Sequence, residues 1–474
     1  MKKKNFLLNL LLCLVICTAN THTKQLTSEK SCEVSHKKKF KSISPGYIMS
    51  LRHYPKYYGD PNTIHGTFLD RSYILDDPKK FRTKLSNRGI YLDATLFSFL
   101  GANASGGTKT GFARYNGNAE YWLVIDTGKT GLWPRGALMM HAESSWTVED
   151  SINDDVGSLL AVNSRSRVPV PDKEKTTLSE VVLAQFFTDN IGLRVGKLDA
   201  TGPIDGTTFA NNARFQFLYA GLVNNPIIFN FTSYTSLALM PFFNHKKHQL
   251  LFFVADAEGQ ADKSGLDSVF NGNTSYCTQY TFSPKARKRL PGNYRIIYAH
   301  AKKPITSYEL DGRHLTIKNT DQITIPKKCQ NSAWLLNFDQ YIWVNKDNEH
   351  IEHRHYRPPV GVLLFGRAGW APQDRNVIDQ FYSIGIGSYG LLKKRYYDQW
   401  GIGYAATHIS ISLREDLKNL DDVCLDKFEH GFEAFYNAQL TPALHLSVHM
   451  QVVKSPLKSR SPSLVFNSRL QTDF

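Results

Sequence analysis

Residues 464–474 read LVFNSRLQTDF, and the chain stops on that final aromatic. Leu464, Phe466, Ser468, Leu470, Thr472 and Phe474 share one parity; Asn467, Arg469, Gln471 and Asp473 share the other. Side chains alternate across a strand, so one face is apolar with small hydroxyls and the other carries charge and amide. In a soluble sandwich the apolar face would meet a core. In an outer-membrane barrel it meets lipid, while the polar face lines a wet interior. A strand that runs to the carboxyl terminus and ends on Phe points to the barrel.

The amino terminus points the same way. Lys2, Lys3 and Lys4 precede an apolar run from Phe6 to Ile16, and Cys17-Thr18-Ala19 offers small residues for cleavage after Ala19. That is the three-part pattern of a secretory signal peptide, and the run is too short for a comfortable membrane helix. Ile16 is too bulky for lipoprotein processing ahead of Cys17. The mature chain is expected to begin at Asn20, and losing the three lysines lowers the formal charge of +15 to +12. No later apolar run reaches the length of a membrane helix, so a spanning structure has to be a closed barrel in which every backbone polar group finds a partner. A chain of 474 residues also exceeds one ordinary soluble domain.

Residues 20–75 show no sustained period and read as a loosely ordered extension. Asp76 to Asn87 is expected to form a short helix, with Asp77 as N-cap, Pro78 at the first helical position, and Phe81 and Leu85 on one face. From Gly89 the chain reads as strand after strand, about sixteen in all. Glu120, Trp122, Val124 and Asp126 alternate with Tyr121, Leu123 and Ile125. Leu444, Leu446, Val448, Met450 and Val452 alternate with His445, Ser447, His449 and Gln451, the clearest dyad pattern in the chain. Short turns at 128–134, 188–190 and 441–443 alternate with long polar connections near 147–176, 200–232, 258–275, 301–331 and 454–462, a habit of outer-membrane barrels. The fold expected is all-β: an outer-membrane antiparallel β-barrel, 76–474, with a short N-terminal helix and long extracellular loops.

Four cysteines follow the leader: Cys32, Cys277, Cys329 and Cys424. They show no metal-ligand spacing, and export permits disulfides. Pairing of Cys277 with Cys329 is favoured, because both lie beside predicted strand ends; four free thiols are the alternative. His350, His353, His355 and Glu352 look like a metal cluster but sit in a polar loop, and are read as solvated. No Ser/His/Asp set, nucleotide loop or close carboxylate pair is recognisable as a local motif, so neither catalysis nor a cofactor is expected. Nothing points to nucleic acid. A basic exported surface, including Pro284 to Arg289, suits lipopolysaccharide phosphates or anionic solutes.

Several segments together resemble the carbohydrate-selective porins of the OprB family. The strongest is 360–411, VGVLLFGRAGWAPQDRNVIDQFYSIGIGSYGLLKKRYYDQWGIGYAATHISI, in which Gly366, Arg367, Gly369, Trp370, Asp374, Asn376, Asp379, Gly390, Leu391, Asp398, Gly401, Gly403, Tyr404 and Ala405 fit the family pattern. Arg82 to Ile90, Leu178 to Asp199 and Glu433 to Gln451 add matches in the right order. Asp76-Asp77-Pro78-Lys79-Lys80 stands where the family has a Gly-Asp-Trp-Gly-Gly-like stretch, and Arg469 and Thr472 depart from the usual barrel-assembly signal. The resemblance implies a sixteen-stranded barrel with inward loops, passive diffusion of small carbohydrates across the outer membrane, and contact with lipopolysaccharide and the barrel-assembly machinery.

Parity names the wall candidates. Arg194 opposes Leu193 and Val195, and an arginine facing lipid is costly. Glu180 shares a face with Ala184; His141 and Glu143 oppose Met140 and Ala142; His445, His449, Gln451 and Arg469 share the polar faces of their strands. Arg367 shares parity with Leu363 and Phe365, so a bend or a rim position is expected there. Trp370 stacks on a sugar or marks the membrane interface. For each charged residue, a wall ion pair is the alternative to solute contact. Within transport the second reading is a general or anion-favouring channel, from Arg194 and Arg469. A secreted β-rich enzyme and an adhesion barrel without a channel are the readings from other classes.

Overall fold

The computed structural model describes residues 66–474 apart from 149, 171–173, 200, 269–270, 287–289, 309–326, 346–357, 393–394 and 422. Sixteen strands form the wall: β1 Ile90–Ser105, β2 Ala113–Asp126, β3 Gly136–Val148, β4 Lys175–Phe186, β5 Ile191–Asp199, β6 Thr235–His245, β7 His248–Asp256, β8 Thr274–Phe282, β9 Leu290–Thr306, β10 Lys327–Val344, β11 Gly361–Trp370, β12 Ile378–Tyr389, β13 Gln399–Ile409, β14 Phe428–Thr441, β15 Leu444–Lys454 and β16 Ser463–Asp473. A two-residue ladder, Lys285–Ala286, pairs with the start of β9 outside the wall. Each strand is antiparallel to the next. β16 returns to β1, from Thr95 opposite Asp473 to Ser105 opposite Leu464, so no edge is left open. Closure meets the demand that hydrocarbon places on backbone N–H and C=O groups.

Alternation sorts the side chains as the dyad pattern requires. On β15 Val448 is 56% exposed, while its neighbour His449 is 3% exposed. On β16 Phe466 and Leu470 face out, and Asn467, Arg469, Gln471 and Asp473 are buried within. Outward aromatics, among them Tyr276, Tyr298, Trp334, Trp370 and Tyr382, supply the amphipathic rings that favour a membrane interface. A bulge breaks the parity of β4. The register slips where His141 and Ala142 face Glu180 and Leu178, so Ser179 and Glu180 both turn inward.

Three expectations are corrected. The helix begins later, spanning Phe81–Asn87. Its N-cap is Lys80 rather than Asp77, and Pro78 lies ahead of it; the Asp77 carboxylate still accepts from the N–H groups of Phe81 (2.6 Å) and Thr83 (2.9 Å). Burial pushes that carboxyl up, but these donors outweigh it and hold it below the ordinary range. The end of the extension is packed rather than loose: Ile74 N–H donates to the Asp473 carbonyl, Arg82 lies over the Tyr73 ring, and Arg82 donates to the Phe474 carbonyl. Finally, Cys277, Cys329 and Cys424 are free thiols. Cys277 lies opposite Ala299, which lies opposite Ala333 on β10. Cys329 is therefore displaced by roughly 14 Å along the strands and about 10 Å across them. A disulfide needs Cα atoms within about 7 Å. Cys32 and the His350–His355 cluster lie outside the described residues.

The largest departure concerns the connections. The segment 201–234, between β5 and β6, is not a polar surface loop. Ile204, Phe209, Phe217, Leu218, Tyr219, Leu222, Ile227, Ile228 and Phe231 are all fully buried. Leu218 packs with Phe97 and Phe99, and the others pack on an apolar inner wall that includes Met240, Phe253, Ile297, Leu335, Leu363 and Phe365. Glycines make room for them. A Cβ at Gly387 would strike the Phe209 ring, at Gly403 the Leu222 methyls, and at Gly431 the Tyr219 ring. The Gly-rich strands β12 to β14 thus form a recess for the interior loop. Val448→Arg, which puts a guanidinium in lipid, is expected to lower stability by about 2–4 kcal/mol, read by the midpoint of the heat-induced gel shift. Gly403→Leu overfills the recess and is expected to cost about 1–3 kcal/mol in the same assay.

Candidate pore constriction

Two loops cross the interior side by side: the β3–β4 connection around 151–168 and the β5–β6 connection 201–234. They bind each other through Ser164 N–H to the Leu218 carbonyl (2.9 Å) and Ala220 N–H to the Ala161 carbonyl (2.8 Å). Inward side chains of the wall hold them in four places.

The first lies on β2 to β4. The Glu120 carboxylate takes Arg165 on one oxygen and Arg214 (2.6 Å) on the other. Both oxygens of Glu143 accept from the Tyr234 hydroxyl (3.1 and 2.9 Å). His141 pairs with Glu180 at 3.1 Å, and the Trp122 ring stacks on it with centroids 3.7 Å apart. Ligand atoms of Glu120, His141 and Glu143 lie within 4.8 Å of one another. Two guanidinium groups already neutralise Glu120, so the chemistry of this cluster is that of an ion-pair network rather than a metal centre.

The second place is Arg367. It faces inward without any bend, because Leu363 and Phe365 on the same parity also face inward against the interior loop. The expectation of a bend assumed that an apolar residue faces lipid; here the apolar partner is inside. Arg367 donates through Nε to Asp205 (3.0 Å) and also to the carbonyls of Ala210 (2.6 Å), Val223 (3.2 Å) and Leu222 (3.3 Å). Asp205 accepts in turn from Asn337 Nδ2 and Asn225 N–H, both at 2.8 Å.

The third is Arg469, which donates to the carbonyls of Ala213 (2.6 Å) and Gln216 (3.0 Å). The fourth lies on β14 and β15. Glu433 and Glu429 accept main-chain N–H groups of both loops, and Gln451 donates to the Val162 carbonyl (2.9 Å). His449 bridges Glu433 (2.7 Å) and Ser447 (2.8 Å). His445 is buried edge-on to the Phe215 ring.

Of the residues expected on the inner wall, Glu143, His141, Glu180, Arg367, His445, His449, Gln451 and Arg469 are turned inward and nearly fully buried. Arg194 also faces inward, between Ala184 and Met240, and stays half-buried. Trp370 is the correction: it lies on the outer face, 39% exposed, with Nε1 donating to the Tyr382 hydroxyl (3.1 Å). Even residues of β11 face out, which is why it does not join Arg367. Sequence reasoning passed over Glu120, Glu429 and Glu433 as site residues; alternation along β14, with Glu429, Gly431 and Glu433 on one parity, was the signal that could have found the last two. Asp205, Arg214 and Tyr234 carried no signal, since they lie in an irregular segment.

A closed antiparallel barrel whose wall charges hold its own loops across the interior is the architecture of a diffusion porin. The chain belongs to the OprB family of carbohydrate-selective porins, whose family profile matches residues 113–474. The structure is similar to that of Pseudomonas putida OprB at high pH, with a TM-score of 0.73 at 16% identity, over 86% of this chain and 100% of that one. It is similar also to the low-pH structure of the same P. putida protein, with a TM-score of 0.51 at 15% identity, over 85% and 98% of the two chains. No match to a curated protein was found. The chain is thus an outer-membrane channel for passive diffusion of small carbohydrates, a transport protein rather than an enzyme.

Arg367→Ala leaves Asp205 buried without its cation, and is expected to destabilise by about 3–5 kcal/mol. Thermal unfolding, together with faster proteolytic cleavage within 201–234, checks this.

Proposed function

We propose that the two interior loops set the bore of the channel and restrict it to small sugars. Solute then meets the polar groups of the inner wall and loops that keep some exposure: Asp93, Thr95, Arg194, Asn212, Arg214 and Arg295. The observation that carries this reading is the pairing of the two loops with each other and the reach of 201–234 across the interior, from Glu120 on β2 through Arg214 to Arg367 on β11 through Asp205. Groups such as Arg367 and Arg469 hold backbone carbonyls and act on the solute only through the loops they place.

The charge balance argues against an anion-favouring channel. Arg165 and Arg214 face Glu120, Arg295 faces Asp339, and Arg367 faces Asp205. A balanced wall suits neutral hydroxylated solutes, whose lost water is replaced by donors and acceptors. At the rim of the long connections Lys302, Lys327, Lys427 and Lys458 are exposed, placed to meet lipopolysaccharide phosphates. The leader 1–19 directs export, and the terminal strand ending on Phe474 is what the barrel-assembly machinery reads.

Liposome swelling tests the reading. Monosaccharides are expected to enter faster than disaccharides, with weak ion selectivity in bilayers; strong anion selectivity indifferent to sugar would refute it. Arg194→Ala is expected to weaken block of the ion current by sugar. N-terminal sequencing of the outer-membrane form is expected to begin at Asn20.

A further inference from the structure

β14 carries Glu429, Gly431 and Glu433 on successive inward positions, the Cα atoms of the two glutamates roughly 14 Å apart along the strand. Both glutamates are completely buried. Among the described residues neither meets a Lys or Arg at ion-pair distance; the one basic side chain that touches them is the His449 imidazole, on Glu433. Their other partners are main-chain N–H groups of the interior loops and one loop hydroxyl. Glu429 accepts from Leu159 N–H (2.5 Å) and Leu160 N–H (2.8 Å) of the first loop and from the Tyr219 hydroxyl (3.1 Å) of the second. Glu433 accepts from Leu218 N–H (2.9 Å) and Tyr219 N–H (2.7 Å). Gly431 lies between them, and the Tyr219 ring fills the space a side chain would take there. The point gripped is also where the loops bond to each other, at Ser164–Leu218 and Ala161–Ala220.

We propose that Glu429 and Glu433, with Gly431 between them, form a clamp that fixes both interior loops against the wall and so sets the largest solute the channel admits. They are positioning residues, acting on solute only through the loops. A buried carboxylate without a guanidinium partner depends on N–H and O–H donors for its solvation. Here the loops supply those donors from four backbone N–H groups and the Tyr219 hydroxyl, so the clamp holds the chain path of both loops. Releasing it frees 159–160 and 218–219 together, because the two loops share bonds at that point. The inference rests on the reading of the loops as the constriction.

Single-channel recording in planar bilayers, with Glu429→Gln, Glu433→Gln and Tyr219→Phe beside the wild type, tests the clamp, since only inserted, closed barrels are recorded. Tyr219→Phe keeps the ring against Gly431 and deletes one bond to a carboxylate. Such a bond is worth enough that time spent in a larger-conductance state should rise about tenfold. The Gln variants, which turn one acceptor oxygen into a donor, should rise further, and the disaccharide-to-monosaccharide swelling ratio should increase in step. A purely structural role would lower the yield of barrels and leave the conductance and sugar ratio of the inserted ones at wild-type values. That result overturns the assignment, and Tyr219→Phe alone decides it if the Gln variants fail to insert. A wild-type channel that admits no sugar overturns the constriction reading itself.

Discussion

Hydrocarbon offers no partner to a backbone N–H or C=O, and every feature of this chain follows from meeting that demand. Sixteen strands pair in sequence, and the last returns to the first through Thr95–Asp473 to Ser105–Leu464. Closure creates an inside sealed from lipid. The inside is then free to hold groups that could not face the bilayer, and this barrel fills it with its own connections.

Those connections face the same demand in a drier place than a surface loop. The segment 201–234 is irregular over most of its length, yet much of it is buried, so its backbone needs partners that no ladder supplies. The wall provides them as charged side chains: Arg367 and Arg469 take carbonyls and Glu433 takes amides, while Glu429 takes amides of the other interior loop. Charge-assisted bonds of this kind are the stronger ones. Glycines on the inward parity of β12 to β14 complete the fit by admitting Phe209, Leu222 and Tyr219. The spacing of Gly385 with Gly387 and of Gly401 with Gly403 therefore has a steric reason inside the barrel.

Strand parity was legible wherever the inner wall is polar. His445, His449, Gln451 and Arg469 could be placed from alternation alone, because their neighbours Val448, Met450 and Leu470 are apolar. It misled at β11, where Leu363 and Phe365 share the inward face with Arg367. A residue's polarity reports which medium it meets only if the two media differ, and at β11 both sides are apolar. The same ambiguity hid the interior loop, whose apolar residues have no period. Trp370 was left between two roles in the sequence, since an indole suits either a sugar face or an interface; its even register on β11 resolves the choice.

Alternation, together with the family-like segments, pointed to a membrane barrel from the sequence alone, because a period of two is a local property of the chain. The tertiary structure decided what the charges do. Glu120 and Arg214 are 94 residues apart, and Arg367 and Asp205 are 162 apart, and each pair meets because two loops turn inward. No local pattern encodes that turn; it follows from apolar loop residues finding an apolar, glycine-lined inner wall that exists once the cylinder has closed.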